Sequence, residues 1–435
     1  MRIWLAGLAL GGMALLGAPV AAQDNPASAA ETDPAAMEWM RGAPPLANRL
    51  VRRDDGSFYQ FPRTRWSFSN MRMLFPTANI GRGNGPQSNL PENHRGDLDA
   101  VSFVPLGGSE PMRWDEALQR SYADAILVLH RGTIVYERYF GVTGRHTPHM
   151  SFSMTKSYIG TVAAMLMAEG LLDENETVAH YIPELEDSGF GDATVRQVAD
   201  MTTAIDYSED YTDPQSEVFA YAIAGGIFAR PEGFSGPDGY YNYLPTLRKE
   251  GEHGARFTYR SVNTEVLGWL IARVTGRSAV DVVAERIWSR IGAENDGYMM
   301  VDSHGTGWAA GGLNATLRDH ARFGEMMRRN GNFNGIQIVP EAVVQQIHRG
   351  GSREDFAPAG YTTLPGWSYR DQWWVSHNGA FAARGVHGQT IYIDPAAEMV
   401  IVRLASHPMA ANAHIDPVSL PAYQAIADHL ARQGN

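Results

Sequence analysis

The sequence of 435 residues contains no cysteine. This absence excludes disulfide bonds, thiolate nucleophiles and cysteine-ligated zinc sites together. Without disulfides a chain of this size depends on a hydrophobic core, and 44% of its residues are hydrophobic and 10% aromatic. The composition therefore predicts a folded protein with room for two structural lobes, and not a disordered or fibrous one.

Positive charge is also scarce. Lys and Arg number 36 against 48 Asp and Glu, so the formal net charge is −12. The sequence has no dense stripe of Lys and Arg of the kind that follows a phosphate backbone. It therefore predicts no nucleic-acid partner.

Long hydrophobic runs are missing beyond the first residues. Arg2 is followed by an apolar stretch from Ile3 to Leu16 and then by small residues up to Ala22, which is the order of a secretory signal cleaved after Ala22. A retained membrane anchor is the alternative, but Gly and Pro interrupt the stretch and it is shorter than the roughly 20 apolar residues of a spanning helix. We expect residues 1–22 to be a signal peptide and the mature protein to be periplasmic or secreted, without stable membrane insertion. Nothing in the sequence indicates the oligomeric state.

Residues 23–108 are rich in Pro, Asn, Gly and Arg and contain isolated aromatic residues. This composition predicts an irregular segment that wraps over the rest of the chain. The glycine cluster at 81–85 has the composition of a phosphate loop, but no predicted strand precedes it and Pro86 follows it at once. We interpret it as a turn.

Regular structure is predicted within residues 109–435, which we expect to form one domain. Strand-like runs at 125–130 and 133–139 predict a hairpin, and apolar residues recur at helical spacing from Ser153 to Glu169. Strands at both ends of this region with helices between them predict an α/β (α+β) fold. Its sheet would combine N- and C-terminal parts, beside a mostly helical second lobe at about residues 170–330. Further helices are predicted at 262–275, 279–291 and 418–431, and further strands at 372–375, 384–386, 390–393 and 399–404.

Ser153 and Lys156 form an S-x-x-K motif at the predicted start of a helix, so their side chains share one face. A serine hydroxyl needs an adjacent base to become a nucleophile, and a lysine in an apolar setting can lose its charge and serve as one. The N–H of Ser153 at the helix N-terminus can also be one donor of an oxyanion hole. A capped helix with a solvated lysine is the alternative, but the apolar neighbours Phe152 and Met154 place Lys156 near a core.

Tyr259 and Ser261 stand at the junction between a loop and a predicted helix. A tyrosine in this position can act as a general acid or base when a neighbouring cation lowers its pKa. A core tyrosine that hydrogen bonds through its hydroxyl is the alternative.

A third element, from Gly385 to Gly388, leads into the predicted strand at 390–393. Glycine in a strand allows close approach to a ligand, and the N–H of Val386 is then available as a second oxyanion donor. A kink in the sheet is the alternative. Gly385 and His387 are candidates for substrate contact, although His387 fits a hydrogen bond within the sheet equally well.

These three elements, in this order and at these separations, resemble the serine β-lactamase and penicillin-binding superfamily in its class C and esterase branch. The resemblance covers about residue 117 to the C-terminus. The phrases at 151–156, 207–211, 311–316 and 385–389 look most like 6-aminohexanoate-dimer (nylon oligomer) hydrolases and related carboxylesterases. The resemblance implies a β-lactamase-like antiparallel sheet flanked by helices.

The resemblance also implies roles for single residues. Ser153 would be the nucleophile, Lys156 and Tyr259 would share proton transfer, and Ser261 would lie next to the base. Two further candidates for substrate contact are Tyr211 and Asn314.

One position departs from the superfamily pattern. Ala383 stands where β-lactamases carry the lysine of a Lys-Thr-Gly strand, a cation that binds the carboxylate of the antibiotic. Arg384 is adjacent, but alternation along a strand predicts that its side chain faces the other way. Efficient β-lactam hydrolysis is therefore not expected.

Motifs of other hydrolases are missing from the sequence, which has no G-x-S-x-G elbow and no H-E-x-x-H. His146 and His149 have no carboxylate at metal-site spacing, and we interpret them as solvated loop histidines. We expect no metal and no organic cofactor. The leading hypothesis is hydrolysis of a linear amide or ester, a small-molecule substrate, through an acyl-enzyme. The alternatives are a D-Ala-D-Ala peptidase, a class C-like β-lactamase and a non-catalytic penicillin-recognising wall or sensor protein.

Overall fold

The computed structural model describes residues 26–432. The predicted signal peptide, residues 1–22, lies outside the described residues. Within 26–432 no helix combines the length and the apolar composition needed to cross a membrane.

The strands of the described chain are short and most lie in one of two larger sheets. In chain order they are β1 Thr77–Ile80, β2 Ser102–Phe103, β3 Met112–Arg113, β4 Ala123–His130, β5 Thr133–Tyr139, β6 His149–Met150, β7 Gly297–Met300, β8 Leu313–Ala315, β9 Asn332–Phe333, β10 Ile336–Gln337, β11 Ser368–Arg370, β12 Trp373–Val375, β13 Phe381–Gly385, β14 Gln389–Asp394 and β15 Met399–Ala405.

The helices lie mainly between the first and last strands of the central sheet. In chain order they are α1 Thr64–Ser67, α2 Trp114–Arg120, α3 Met154–Ala168, α4 Val178–Tyr181, α5 Val195–Ala199, α6 Glu217–Ala224, α7 Tyr240–Tyr243, α8 Ser261–Thr275, α9 Ala279–Val283, α10 Leu317–Arg328, α11 Glu341–Arg349, α12 Arg353–Phe356 and α13 Asp416–Arg432. The helix predicted at 279–291 is present as α9, but it continues as a π-helical turn, Ala284–Trp288, and ends there.

The central element is a seven-stranded sheet in the order β11-β12-β13-β14-β15-β4-β5, in which every neighbouring pair is antiparallel. The predicted hairpin is β4–β5, and β4 pairs along its length with the C-terminal strand β15. N- and C-terminal parts of the chain therefore form one sheet, as the sequence predicted.

Helices cover both faces of this sheet. Leu127 and Leu129 of β4 face the core under α3 and α10, whereas Ile126 and Val128 face the core under α2 and α13. This period of two follows from the alternation of side chains along a strand. Each fully buried aliphatic side chain stabilises the fold by roughly 1.5–3 kcal/mol, so the sheet is the rigid base of the molecule.

Helix α3 lies between the sheet and α8, and its residues are buried from Met154 to Leu166. Gly160 permits this close packing, because a Cβ at that position would lie 2.2 Å from the carbonyl oxygen of Asp371. The helix is therefore fixed on all sides, and so is Ser153 at its N-terminal end.

Helices α4–α9 lie beside the sheet and form the predicted helical lobe. The lobe ends before residue 330, because β7 and β8 enter a smaller sheet and α10 packs on β14 and β15 of the central one. The predicted range of about 170–330 therefore includes one helix that belongs to the sheet.

The N-terminal segment, residues 26–108, is mostly irregular, and its strand β1 enters the smaller sheet, whose order is β1-β7-β8-β6. The glycine cluster at 81–85 is a loop that no helix follows in residues 86–95. The aromatic residues of the segment are anchored in the body of the protein, where Phe58, Phe68 and Phe75 share a buried cluster with Phe152. The segment therefore reaches the residue before Ser153.

Candidate active site

Two cavities meet at Ser153. The apolar cavity has a volume of about 70 Å³, and its wall includes Phe58, Tyr59, Met71, Phe152, Val218, Phe219, Ile227, Phe228 and Trp308. The polar cavity has a volume of about 580 Å³, and its wall includes Glu209, Arg256, Thr258, Tyr259, Thr362, Thr363, Arg384, Asn412 and Asp416. Ser153, Tyr211 and Val386 border both cavities, so they mark the junction.

Ser153 follows a sharp backbone turn. Phe152 has a φ of 45°, a left-handed conformation that a bulky residue rarely adopts. Its ring packs edge-on against Phe68 with the centroids 4.8 Å apart, and the N–H of Ser151 donates to the carbonyl of Leu313. Strain of this kind costs roughly 1–3 kcal/mol and persists only where the surroundings fix it. The turn directs the first residue of the S-x-x-K motif into the cleft.

Lys156 lies one helical turn after Ser153 and is 1% exposed. Its Nζ is 3.0 Å from Ser153 Oγ, 3.0 Å from Ser261 Oγ and 2.7 Å from the carbonyl oxygen of Ala310. The serine and the lysine of the motif are thus in direct contact.

The environment of Lys156 favours its neutral form. Burial lowers its pKa to about 8, although nearby carboxylates act in the opposite direction. A neutral lysine has two N–H donors and one lone pair. The Ala310 carbonyl can only accept, and Ser261 Oγ accepts from the amine because its own proton goes to Glu209, 2.7 Å away. The protonated amine donates its third hydrogen bond to Ser153 Oγ, and once Lys156 loses its proton the lone pair can take that place.

Glu209 joins the loop before α6 to the start of α8. Its carboxylate accepts hydrogen bonds from the N–H of Ser261 at 2.6 Å, from Ser261 Oγ at 2.7 Å and from the hydroxyl of Tyr211 at 2.7 Å. The sequence argument included residue 209 in the phrase 207–211 but gave it no role. Its position explains how Ser261 and Tyr211, two predicted site residues, are held next to the base.

A second carboxyl group, Glu265, lies behind Lys156 and was not predicted. It is fully buried, and burial raises its pKa to about 7. It accepts from the N–H of Ala310 at 2.8 Å and from the hydroxyl of Tyr221 at 2.5 Å, and so it fixes the residue whose carbonyl binds Lys156. The available signal was a glutamate four residues after Ser261 on an otherwise apolar stretch of helix.

Tyr259 completes the group at the junction. The centre of its ring is 5.3 Å from Lys156 Nζ, the ring stacks on Trp374 at 5.4 Å, and an interaction with Ser153 acts to lower the pKa of its hydroxyl. Burial, followed by the charge of Glu209, raises the pKa of Tyr259 well above its usual value. The charge of Arg384 lowers this pKa, as expected of a cation, but burial and Glu209 outweigh it, and the phenol keeps its proton at neutral pH.

The glycine at the end of β13 packs directly on the nucleophile turn. A Cβ at Gly385 would lie 2.5 Å from the carbonyl oxygen of Ser151 and 3.1 Å from the nitrogen of Ser153. The glycine is thus required where the strand meets the start of α3. Val386 follows at once and borders both cavities together with Ser153.

Two predicted substrate contacts belong instead to the interior. His387 is buried, its Nδ1 donates to the carbonyl of His407 at 2.7 Å, and its Nε2 accepts from the hydroxyl of Tyr59 at 3.1 Å. Burial lowers the pKa of His387 to about 4. Asn314 is buried in β8 and donates to the carbonyl of Gly312. Neither side chain is among those that line the two cavities, so both are supporting residues.

Arg384, the residue before Gly385, faces away from α3 as expected but still reaches the cleft, which was not expected. Ala383 is buried against α3, and Arg384 lies on the opposite face of β13, as alternation predicts. Arg384 nevertheless borders the polar cavity, because the cleft extends around the end of the strand. It forms an ion pair with Asp416, and its guanidinium lies 5.4 Å from the centre of a Trp374 ring. Its charge is therefore already balanced within the protein.

Within residues 26–432, Glu92, His94 and Glu137 bring one ligand atom each within 4.8 Å of the others. Both glutamates form ion pairs with Arg318, and none of the three residues lines the cavities at Ser153.

The interpretation of both early histidines as solvated is wrong for one of them. His149 is fully buried in β6, with its Nε2 3.2 Å from a carboxylate oxygen of Asp124. His146 is exposed and contacts Asn295. The buried pair of His149 and Asp124 supports the chain that leads to the turn before Ser153, because Met150 follows His149 directly in β6.

Comparison with known proteins agrees with this arrangement. The family model of the beta-lactamases matches residues 115–417. A 6-aminohexanoate-dimer hydrolase of Paenarthrobacter ureafaciens is 36% identical over 355 residues, which are 81% of this chain and 88% of that protein.

Solved structures show the same relationship. A structure from Bacillus anthracis, provisionally named a 6-aminohexanoate-dimer hydrolase, aligns with a TM-score of 0.81 and 33% identity over 89% of this chain and 99% of that one. A family VIII carboxylesterase aligns with a TM-score of 0.54 and 17% identity over 72% of this chain and 96% of that one, and so shares the fold. The family match spans more than half of the chain and includes the residues that meet at Ser153, and the chain therefore belongs to the beta-lactamase family.

Proposed function

We propose that this protein hydrolyses linear amide or ester bonds of small molecules through an acyl-enzyme on Ser153, in the manner of 6-aminohexanoate-dimer hydrolases and related carboxylesterases. The observation that carries the proposal is the position of Lys156. The Nζ of an amine with a pKa of about 8 lies 3.0 Å from the serine hydroxyl oxygen. A base next to the nucleophile is what a serine needs for acyl transfer.

In acylation, Ser153 Oγ attacks the carbonyl carbon while its proton passes to Lys156. The oxygen of the tetrahedral intermediate accepts hydrogen bonds from the N–H groups of Ser153 and Val386, which stabilise the developing charge. Tyr259 then gives its phenolic proton to the leaving nitrogen or oxygen as the carbonyl bond to that atom breaks. The ammonium of Lys156 returns a proton to Tyr259, so both groups are neutral again.

Deacylation reverses these roles with water as the nucleophile. Water attacks the ester carbonyl, its proton passes to Lys156, and the released Ser153 Oγ regains a proton from the same network. The cycle consumes one water, needs no cofactor and leaves the enzyme unchanged. Because Lys156 and Tyr259 exchange one proton, they titrate as a coupled pair.

Two features support linear substrates over β-lactams. Position 383 carries alanine, and the cation at the neighbouring position, Arg384, is paired with Asp416. Neither residue offers an unbalanced cation for the carboxylate of an antibiotic. Export to the periplasm or the medium is also part of the proposal, on the basis of the sequence of residues 1–22.

The test is a stopped-flow measurement with a p-nitrophenyl ester and mass spectrometry of the quenched protein. We expect a burst of p-nitrophenolate and an acyl adduct on the peptide that contains Ser153. Ser153→Ala should abolish both, whereas Ser102→Ala, at an exposed serine, should keep both. Normal turnover by the Ser153→Ala protein would refute the proposal. A persistent adduct without turnover would favour a binding protein, and rapid nitrocefin hydrolysis would favour a β-lactamase.

A further inference from the structure

The wall of the apolar cavity is unusual for a site next to a charged catalytic group. Three aromatic rings, those of Phe58, Tyr59 and Phe228, lie within 5.9 Å of one another between centroids. Among the described residues that line this cavity, Lys156 is the one ionisable cation and there is no carboxylate. A ligand group in this cavity therefore contacts mainly apolar side chains and the amine of Lys156.

The proton donor shows which half of the substrate enters this cavity. Tyr259 borders the polar cavity, and in the proposed mechanism the leaving group has to receive the proton of its hydroxyl. The leaving group must then lie on the side of the polar cavity. The acyl group, which stays bonded to Ser153, extends into the apolar cavity.

The carboxylates behind the wall favour positive charge at Lys156, but their oxygens already accept hydrogen bonds within the protein. The carboxylate of Glu265 already accepts hydrogen bonds from Tyr221 and Ala310, and the carboxylate of Glu209 is occupied by Ser261 and Tyr211. Neither carboxylate is left to pair with a substrate ammonium.

A second cation lies beside the same wall. The guanidinium of Arg53 donates to the carbonyl of Gly226, the residue before Ile227, and lies 5.2 Å from the centre of the Phe75 ring. An ammonium in the cavity would therefore have a further cation beside the wall and no carboxylate among the residues that line it. Such a group loses its hydration without compensation.

We infer that the acyl site of this protein takes uncharged aliphatic or aromatic acyl groups and discriminates against acyl groups that end in an ammonium, such as 6-aminohexanoyl. The inference rests on the proposed function. It separates this chain from the activity named for its relative, because a 6-aminohexanoate dimer presents an ω-ammonium on its acyl half. The N-terminal segment, which supplies Phe58, Tyr59 and Met71, is then part of the specificity site.

The experiment compares two esters of equal length. p-Nitrophenyl heptanoate and p-nitrophenyl 6-aminohexanoate differ in one terminal group, which is a methyl in the first and an ammonium in the second at pH 7.5. We expect kcat/KM for the heptanoate to be higher by on the order of 100-fold, because the buried ammonium is unpaired.

A matched pair of variants tests the cause. Phe228 is half-buried in the wall, so Phe228→Glu and Phe228→Gln change its polarity outside the main core. Phe228→Glu should raise the ratio of aminohexanoate to heptanoate hydrolysis by about 10-fold relative to Phe228→Gln, because only the glutamate can pair with the ammonium. Circular dichroism checks that both variants are folded. If either variant is unfolded, the ratio of the kcat/KM values of the unmodified protein for the two esters decides.

The outcomes separate the two proposals. Equal kcat/KM values for the two esters, both dependent on Ser153, would overturn the inference and leave the proposed function intact. Preference for the aminohexanoate would overturn it as well. Failure to hydrolyse either ester would reject the proposed function and the inference together.

Discussion

The apolar and polar cavities share Ser153 but are built in different ways. The apolar cavity is walled by buried rings from the N-terminal segment and by α6, whereas the polar cavity is bordered by loops near residues 256–259, 358–363 and 411–416. Lys156 borders the first and Tyr259 the second. The reacting bond therefore lies where an apolar wall and a polar wall meet.

Burial has opposite effects on the pKa values of the two proton carriers. It lowers the pKa of Lys156 to about 8 and raises that of Tyr259 well above its usual value. In both cases burial disfavours the charged form. The amine thus becomes a base and the phenol remains an acid, and one physical cause assigns both roles. Variants at the junction should lower the hydrolysis of every substrate. Variants beside one cavity should change the recognition of one half of the substrate.

The largest expected effect is at the junction. Lys156→Met should lower kcat by on the order of 10⁴-fold for amides and esters alike, because it removes the base. Lys156→Arg should lose about as much, because a guanidinium stays protonated. The control is Lys249→Met, at the second lysine of the sequence, which pairs with Asp192 at the surface. Steady-state kinetics with one amide and one ester check this, and an active Lys156→Arg protein would contradict a neutral lysine base.

Tyr259→Phe should separate the two kinds of substrate. Loss of the proton donor should lower amide hydrolysis by on the order of 10³-fold, because an amine leaves only when it is protonated. p-Nitrophenyl esters should lose much less, since p-nitrophenolate leaves as a stable anion. Tyr361→Phe, at another tyrosine of the polar cavity, is the matched control. Equal losses of amide and ester hydrolysis would show that Tyr259 does not donate the proton to the leaving group.

Gly385→Ala tests the contact that joins the two cavities. The added methyl group would press on the carbonyl of Ser151 and the nitrogen of Ser153, and a displacement of the nucleophile by about 1 Å costs on the order of 100-fold in rate. The loss should be similar for all substrates. Gly85→Ala, where no heavy atom lies within 4 Å of the new Cβ, should leave kcat unchanged. An unaffected Gly385→Ala protein would show that the strand and the turn do not need this contact.

The smallest effect concerns pH. The value of kcat/KM should rise as pH increases and level off above about 8, because only the neutral form of Lys156 accepts the Ser153 proton. Glu209→Gln removes a negative charge that stabilises the ammonium, so the pKa of Lys156 should fall and the profile should move to lower pH. A pH profile from 5.5 to 10 for both proteins measures the shift, with Glu354→Gln as a surface control. A shift to higher pH would contradict the assignment of the profile to Lys156.

Much of the fold was predictable because it depends on local patterns. Strand-like runs predicted β4, β5 and the C-terminal strands, and the change to helical spacing after Ser153 predicted α3. The lobe boundary was less accurate, since the decision whether α10 packs on the sheet or beside it involves residues far apart in sequence.

The site was predictable to the same extent. Ser153 and Lys156 are three residues apart on a helix, so their contact follows from helix geometry alone. Composition gives a further signal, because two of the 36 Lys and Arg residues are lysines. The buried one, Lys156, is at a position that needs a neutral base, and arginine does not lose its proton. Glu209 and Glu265 were missed as functional residues, because the sequence does not show which donors will hydrogen bond to a given carboxylate.

The sequence by itself predicted the candidate nucleophile and base, a sheet built from N- and C-terminal strands, and the glycine at the end of β13, because each depends on neighbours in the chain or on local strand and helix patterns. Tertiary structure alone decided that Phe58 and Tyr59 line the apolar cavity, that His387 and Asn314 line neither cavity, and that Arg384 borders the polar cavity. It also decided the sign of the pKa shift of Tyr259. These properties depend on desolvation and on contacts between residues that are distant along the chain, and both exist only once the chain is folded.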